Sequence, residues 1–569
     1  MRSFSFPWSF ERLERGLFAT LLGLHLVPVW AFRYFATADG PAHLYNAWVL
    51  KAMLLDPDSR FHALFRFNLN PEPNYLSHAL LAGLLTMLPP WLAEKAVLTL
   101  YVAGLPLAVR YLVRGWQPAA GFLAVLAFPL VYSAVLQFGF YNFCLSLVLL
   151  ALVLGYWKRH FAPPSTPPAG RRRAQWRLMG LVSGLYLAHP LAYLTGGLLL
   201  GLLSLEQALK PPAGRGLNGA SEPSEPIGPT GPGRSGLGRR LLAALGPVAW
   251  AFGPTLPLLG WYLWRQGGAG GAAAPAAAAS LPQVAERLHD WLTLEPLRYM
   301  GQAEGSYRLM LTAWLLAALL YAAWQHSRGR ALAPAGAWAL GVLLLGLGYT
   351  ILPESLAGGS IIRPRLALLS YLALLGALAT VPYSAAMRRA LLLAGSVVAT
   401  VFLGFRFGRY QTLHTGLDEY RSAAAHLRPG RTLVPLRLAH VTHMPNGREY
   451  GSYIDVFAHA AGYLAVERDL SCLENYEARV GYFPLRWRPG QDRLSQPDSL
   501  PNRLDLAPRP AAPAPDYVLL WGAPDTARRA PANTRYALRQ LAEAYRPIYR
   551  SPTGLVLLYE HRPPAPSAR

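Results

Sequence analysis

The segment Thr37-Ala38-Asp39-Gly40-Pro41-Ala42-His43 places a carboxylate and an imidazole four residues apart, directly after the first apolar run of the chain. In a helix beginning near Gly40 that spacing sets the two side chains one turn apart on a common face. A carboxylate in such a place can take a proton from an attacking hydroxyl or hold a metal, and an adjacent imidazole can hold a phosphate or a proton. A plainer reading is available: Asp39 caps the helix, Pro41 fits its first turn, and His43 packs at the membrane surface. The two are compatible, because a capping carboxylate can also react.

A second set of such residues lies between Leu352 and Arg365, where Glu354, Gly358, Gly359, Arg363 and Arg365 fall at the end of an apolar run. Arginines there are costly unless they reach lipid headgroups or meet an anion. The planar guanidinium suits a lipid-linked phosphate, and glycines let the backbone approach it. Glu354 then serves as a partner for a sugar or for an arginine. Gln137 and Asn142 flank the aromatic run Phe138 to Tyr141 and can hydrogen-bond a sugar, although an interfacial aromatic belt has the same composition. His189 precedes Pro190 at a break in an apolar run, where it can satisfy freed carbonyls or enter a cleft. Asp56-Pro57-Asp58 is formally a DxD pair that a divalent metal could use, and equally a turn set by Asp-Pro. His440, His443, His459 and Asp455 match no common zinc spacing. No cofactor is implied with certainty, and a divalent metal is left open.

What must position these groups is a membrane protein. Of 569 residues 53% are hydrophobic and 15% charged, against about 25% charged in a soluble domain. Apolar runs long enough to cross a bilayer recur up to residue 405. The net charge of +23 fits cytoplasmic loops rather than nucleic-acid binding. Cys144 and Cys472 suggest neither a disulfide nor a metal site. The run 76–88 ends in Pro89-Pro90 and is too short to span, so it is expected to be re-entrant or interfacial. The run 178–205 is expected to fold back at His189-Pro190. These readings give about eleven crossings, with a cytoplasmic N-terminus. Segments assigned to the cytoplasm then carry 20 Lys and Arg against 9 in the longer outer segments, the expected bias. The basic stretch 158–177 and the Gly/Pro/Ser stretch 211–240 read as cytoplasmic tethers, and 267–280 as an outer low-complexity loop leading to an amphipathic piece at 281–299. Residues 1–405 thus form an α-helical polytopic bundle whose first outer loop is 36–91, and 406–569 a small α/β soluble domain on the outer face. Strands are expected at 432–435, 517–521 and 555–559, with helices at 453–466 and 534–545.

An aspartate just after the first membrane helix, followed by a loop ending in Asn70-Pro71-Glu72-Pro73-Asn74-Tyr75 before a short apolar segment, resembles the GT-C superfamily of integral membrane glycosyltransferases. The many-helix bundle with a C-terminal outer domain is similar too. The resemblance implies a plasma (inner) membrane enzyme that takes a sugar from a polyprenyl-phosphate carrier and passes it to a glycan, lipid or protein acceptor on the outer face. It puts the general base at Asp39 and the carrier phosphate at Arg363 and Arg365. Many GT-C families carry adjacent acids or a DxD where this chain has Asp39-Gly40, and the tryptophan-rich motif of the oligosaccharyltransferases is absent. The alternative is a non-catalytic membrane subunit that binds a lipid carrier or glycan during envelope polysaccharide assembly. A transporter ranks below both, since few ionisable residues fall mid-span and no internal repeat is evident.

Overall fold

The computed structural model describes residues 9–162, 168–209, 235–269, 279–330, 335–356, 359–440, 444–445, 447–450, 453–492, 513–522 and 532–562. Most of the expected tether 211–240 and loop 267–280, together with Gly358 and His443, lie outside them. Five described helices are long and apolar enough to cross a membrane: Pro90–Trp116, Tyr141–His160, Pro190–Leu209, Glu304–Ser327 and the helix that starts at Ala385. The pair Gly236–Phe252 and Leu256–Gln266, bent by 57° at its break, makes a sixth when counted as one span. The chain is an integral membrane protein, and shorter or more polar helices such as Phe10–Ala31, Ala335–Ile351 and Ile362–Leu378 pack among these.

Three local features set the position of the site. The 76–88 segment forms a nine-residue helix, Leu76–Leu84, whose rise of about 14 Å is less than half a bilayer core. The 178–205 run turns at His189, between helices Pro168–Ala188 and Pro190–Leu209. The 118–136 run is broken into a 3₁₀ stretch, Pro118–Leu126, and the short helices Ala127–Val131 and Ala134–Gln137. Almost every residue of it is buried in the bundle, which is where such irregular backbone is tolerated at membrane depth.

The last membrane helix does not stop near residue 405. It runs without interruption from Ala385 to Arg421, 37 residues, or about 56 Å, and so must project well beyond a hydrocarbon core of about 30 Å. The boundary expected at Arg406 falls inside it. Its far end enters the C-terminal domain, with Tyr420 against Trp521 and Arg421 paired to Glu467 at 2.6 Å.

That domain is built on a five-stranded sheet in the order Ser471–Cys472, Thr432–Arg437, Tyr517–Trp521, Val556–His561, Tyr545–Arg550. The first two pairings are parallel and the last two antiparallel. The strands expected at 432, 517 and 555 are all present, Tyr517–Trp521 is buried throughout, and helices Ala461–Arg468 and Ala532–Ala544 cover the two expected helical stretches in part. The domain also takes in the first loop: Phe65–Phe67 pairs antiparallel with Leu485–Trp487, and the buried amides of Asn46 and Asn475 exchange hydrogen bonds of 3.1 and 2.9 Å.

Candidate active site

The backbone ahead of Asp39 is clamped before any side chain is considered. The N–H groups of Ala38 and Asp39 donate to the carbonyls of Gln137 and Phe138 at 3.0 and 2.9 Å, and the Gln137 side-chain amide donates to the Ala36 carbonyl at 2.9 Å. Gly139 lies in this contact with φ +84°, and a Cβ there would stand 2.5 Å from the Gly40 nitrogen. Only glycine meets both demands. Asp39 therefore occupies the N-cap position of helix Gly40–Leu55, but its side chain makes no capping bond. The carboxylate is turned toward the C-terminal domain.

A second close approach puts the partners there. A Cβ on Gly462 would lie 2.3 Å from the Pro41 carbonyl oxygen, so helix Ala461–Arg468 seats directly on the first turn after Asp39. Tyr463 stacks on Tyr34 at 4.1 Å and donates to the Phe35 carbonyl at 3.1 Å. This seating brings His459 Nε2 to 3.7 Å from Asp39, while His459 Nδ1 lies 3.1 Å from both oxygens of Glu474. Tyr476, stacked on the His459 ring at 4.4 Å, donates its hydroxyl to Asp39.

The charges follow from these neighbours. Burial raises the Asp39 pKa above its ordinary value, although His459, His43 and the Tyr476 hydroxyl all favour the ionised form. Burial alone would lower His459, but Glu474 and then Asp39 outweigh it and lift it to about 9. His459 is then an imidazolium at neutral pH, held between two carboxylates. Beside it, Glu477 meets His43 Nδ1 at 2.6 Å and His78 Nε2 at 2.7 Å, all three side chains being buried. Burial would raise Glu477, yet the two histidines bring it down to about 2. Among the described residues, His43, His78 and Glu477 are also the group of three donors that converges closely enough for a metal.

Asp39 and His43 open onto a cavity of about 210 Å³ that Arg365 also lines. Arg365 lies in helix Ile362–Leu378 and is 9% exposed. Its guanidinium sits over the rings of Phe140 and Phe143 at 4.3 and 5.8 Å, its Nη1 is 3.4 Å from His189 Nε2, and its Nε has no hydrogen-bond partner. No described carboxylate lies within ion-pair distance of it. Asn142 and Tyr482 join the polar lining; Leu191, Leu194, Leu263, Leu352 and Leu356 make an apolar wall.

Of the residues singled out from the sequence, Asp39, His43, Asn142, His189 and Arg365 line this one cavity. Arg363 and Glu354 do not: they form an ion pair with each other, about one-third and two-fifths exposed. The reason is helical geometry, since residues two apart in a helix that starts at Ile362 point to different sides. Gln137 acts on the backbone of the Asp39 loop rather than on the cavity. Asp56 and Asp58 are exposed, with Asp56 Oδ1 accepting from the Asp58 N–H at 3.0 Å, so they form the Asp-Pro turn and converge with no other metal donor. His459, Glu474, Tyr476 and Glu477 were not expected at the site. They flank the strand Ser471–Cys472 in non-periodic segments, and of the four only His459 draws notice in the sequence.

No protein-family model matches the chain, and no curated protein matches it. Among solved structures it is similar to ArnT from Cupriavidus metallidurans. Against the apo state the identity is 14%, with 97% of this chain and 98% of that chain covered and a TM-score of 0.49. Against the same protein bound to undecaprenyl phosphate the identity is 13%, with the same coverage and TM-score. It is also similar to arabinofuranosyltransferase AftD from Mycobacteria, at 16% identity and a TM-score of 0.43, over 98% of this chain and 40% of that one.

Proposed function

We propose that the chain is a membrane glycosyltransferase of the GT-C type, which moves a sugar from a polyprenyl-phosphate carrier to an acceptor on the outer face of the plasma membrane. The observation that carries this reading is the shared cavity: a carboxylate with a built set of partners and a buried arginine without a counter-anion among the described residues line one space together with a group of leucines. A lipid-linked sugar phosphate presents the matching parts in order, namely an apolar chain, an anion, and a sugar carbon.

In this reading the carrier phosphate sits on Arg365, whose planar fork takes two phosphate oxygens. Its aromatic floor and its contact with His189 hold it in place for that role. An acceptor hydroxyl enters on the Asp39 side and attacks the anomeric carbon as its proton passes to Asp39. The new glycosidic bond forms as the bond to phosphate breaks, the departing phosphate takes the electron pair, and the anomeric configuration inverts. Arg365 stabilises the charge that grows on the phosphate, where a preorganised cation has its largest effect. His459, held by Glu474, keeps Asp39 ionised and aimed.

The test is transfer of sugar from a radiolabelled polyprenyl-phosphate donor by the purified full-length protein in nanodiscs. Wild type is expected to transfer with inversion. Asp39→Asn is expected to lose about 10² to 10⁴ in rate, and Arg365→Leu to lose donor affinity. Transfer by Asp39→Asn at the wild-type rate would remove the base from this account.

A further inference from the structure

Beside the cavity, with His43 on its wall, three metal-ligating side chains from three separate parts of the chain meet in a place that the sugar-transfer chemistry does not use. His43 comes from helix Gly40–Leu55, His78 from helix Leu76–Leu84, and Glu477 from the C-terminal domain. Their relative exposures are 3%, 0% and 0%. One donor atom from each lies within 4.8 Å of the others, and the two imidazole rings stand edge to face with centroids 4.9 Å apart.

Hydrogen bonding does not fully account for this arrangement. His78 Nε2 makes an aligned contact with one Glu477 oxygen at 2.7 Å. The other Glu477 oxygen lies only 2.6 Å from His43 Nδ1, yet neither of those two atoms has an aligned hydrogen bond, although both are buried. A sealed nitrogen and a sealed oxygen that approach without a directed N–H between them are poorly satisfied as a donor and acceptor. A cation entering between them would take both as ligands once they part. His78 Nδ1, on the far side of its ring, is likewise buried without an aligned partner.

We propose that His43, His78 and Glu477 bind one divalent transition-metal ion, with zinc the best match to two imidazoles and a carboxylate. Zinc bonds of about 2.0 to 2.2 Å in tetrahedral geometry require the facing donors to part by roughly 0.6 to 1 Å, and binding releases the imidazole protons that the cation replaces. Phe483, whose ring lies 5.9 Å from that of His43 and 5.4 Å from that of His78, closes one side and also lines the cavity. Because its ligands come from both sides of the junction, the ion ties the first loop to the C-terminal domain. The site holds whether or not the cavity transfers sugar.

The experiment uses the full-length protein in nanodiscs, stripped with a chelator and then titrated with zinc chloride. Wild type is expected to take up one equivalent per chain with a rise in thermal unfolding midpoint, and cobalt(II) in place of zinc to give the visible spectrum of a four- or five-coordinate site with nitrogen ligands. His78→Ala and Glu477→Gln are expected to weaken zinc binding by about a hundredfold or more, while the double variant Asp56→Asn/Asp58→Asn keeps the full equivalent. Should the ligand variants not fold, the wild-type cobalt spectrum decides. Wild type that takes up no zinc, a six-coordinate all-oxygen cobalt spectrum, or an unchanged equivalent in folded His78→Ala and Glu477→Gln would overturn the site.

Discussion

Among the described residues two arginines are buried in the helical bundle, and they are provided for in opposite ways. Arg406 is 1% exposed and fully matched: its Nε bonds Glu304 at 2.9 Å, and its two terminal nitrogens bond the carbonyls of Pro129 and Leu297 at 2.8 and 3.0 Å. Glu304 in turn accepts the N–H groups of Tyr299 and Met300 at 2.8 and 2.9 Å. Arg365, at 9%, has two aromatic rings, one histidine nitrogen at 3.4 Å and an unpaired Nε. A buried charge without a partner is unfavourable unless something arrives to pair with it. The first arginine is part of the frame; the second is a cation kept open toward a cavity.

The largest effect that separates them is on stability. Arg406→Leu leaves Glu304 buried without its charge partner and is expected to cost about 3 to 5 kcal/mol, read as a large fall in thermal unfolding midpoint. Arg365→Leu removes a charge that has no partner, so its midpoint is expected to stay level or rise. A fall as large as that of Arg406→Leu would show that Arg365 belongs to the frame.

Next in size is ligand affinity. Arg365→Leu is expected to weaken binding of polyprenyl phosphate by about 1.5 to 3 kcal/mol, the worth of charge-assisted hydrogen bonds, measured by titration into nanodiscs. Arg363→Leu, whose guanidinium is held by Glu354 outside the cavity, is expected to bind as wild type does.

How much of this was legible in the sequence depends on what fixed each residue. That Asp39 and Arg365 line one cavity was expected from the loop charges, which set both at the outer ends of their helices. That Arg365 and not Arg363 faces it required knowing that the helix begins at Ile362, because the glycine-rich stretch before it reads as loop. Arg406 was read as the start of a soluble domain, since nothing in its neighbourhood signals the long-range pairing with Glu304. The partners of Asp39 were least visible of all. His459, Glu474 and Tyr476 lie in segments without periodicity, and they reach the site only because Gly462 lets a helix rest on the Pro41 carbonyl.

That dependence gives a third prediction. Gly462→Ala places a methyl carbon against main chain that cannot yield as a side chain would, and is expected to cost about 1 to 3 kcal/mol. Activity should fall while polyprenyl phosphate binding at Arg365 is kept, because the displaced groups are those around Asp39. Equal loss of both would mean that the two ends of the cavity are one unit.

The smallest effect is the dependence on pH. Asp39 must be ionised to accept a proton, and burial raises its pKa, so the acidic limb of the rate profile is expected above the ordinary aspartate range. His459 is raised from 6.5 to about 9. Its charged form therefore stabilises the fold fully below pH 6.5, and that contribution is lost as pH rises through about 9. Loss of the imidazolium beside Asp39 should give the alkaline limb in the same range. His459→Gln is expected to abolish that limb; a limb that stays in place belongs to another group.

The most direct test of the central claim, that one cavity holds the anion at Arg365 and the base at Asp39, is single-turnover transfer by Asp39→Asn with the donor already bound. The account predicts that Asp39→Asn binds polyprenyl phosphate as tightly as wild type and releases glycosylated product at least about a hundredfold more slowly. Unimpaired turnover in that variant, or donor binding lost together with turnover, would contradict it.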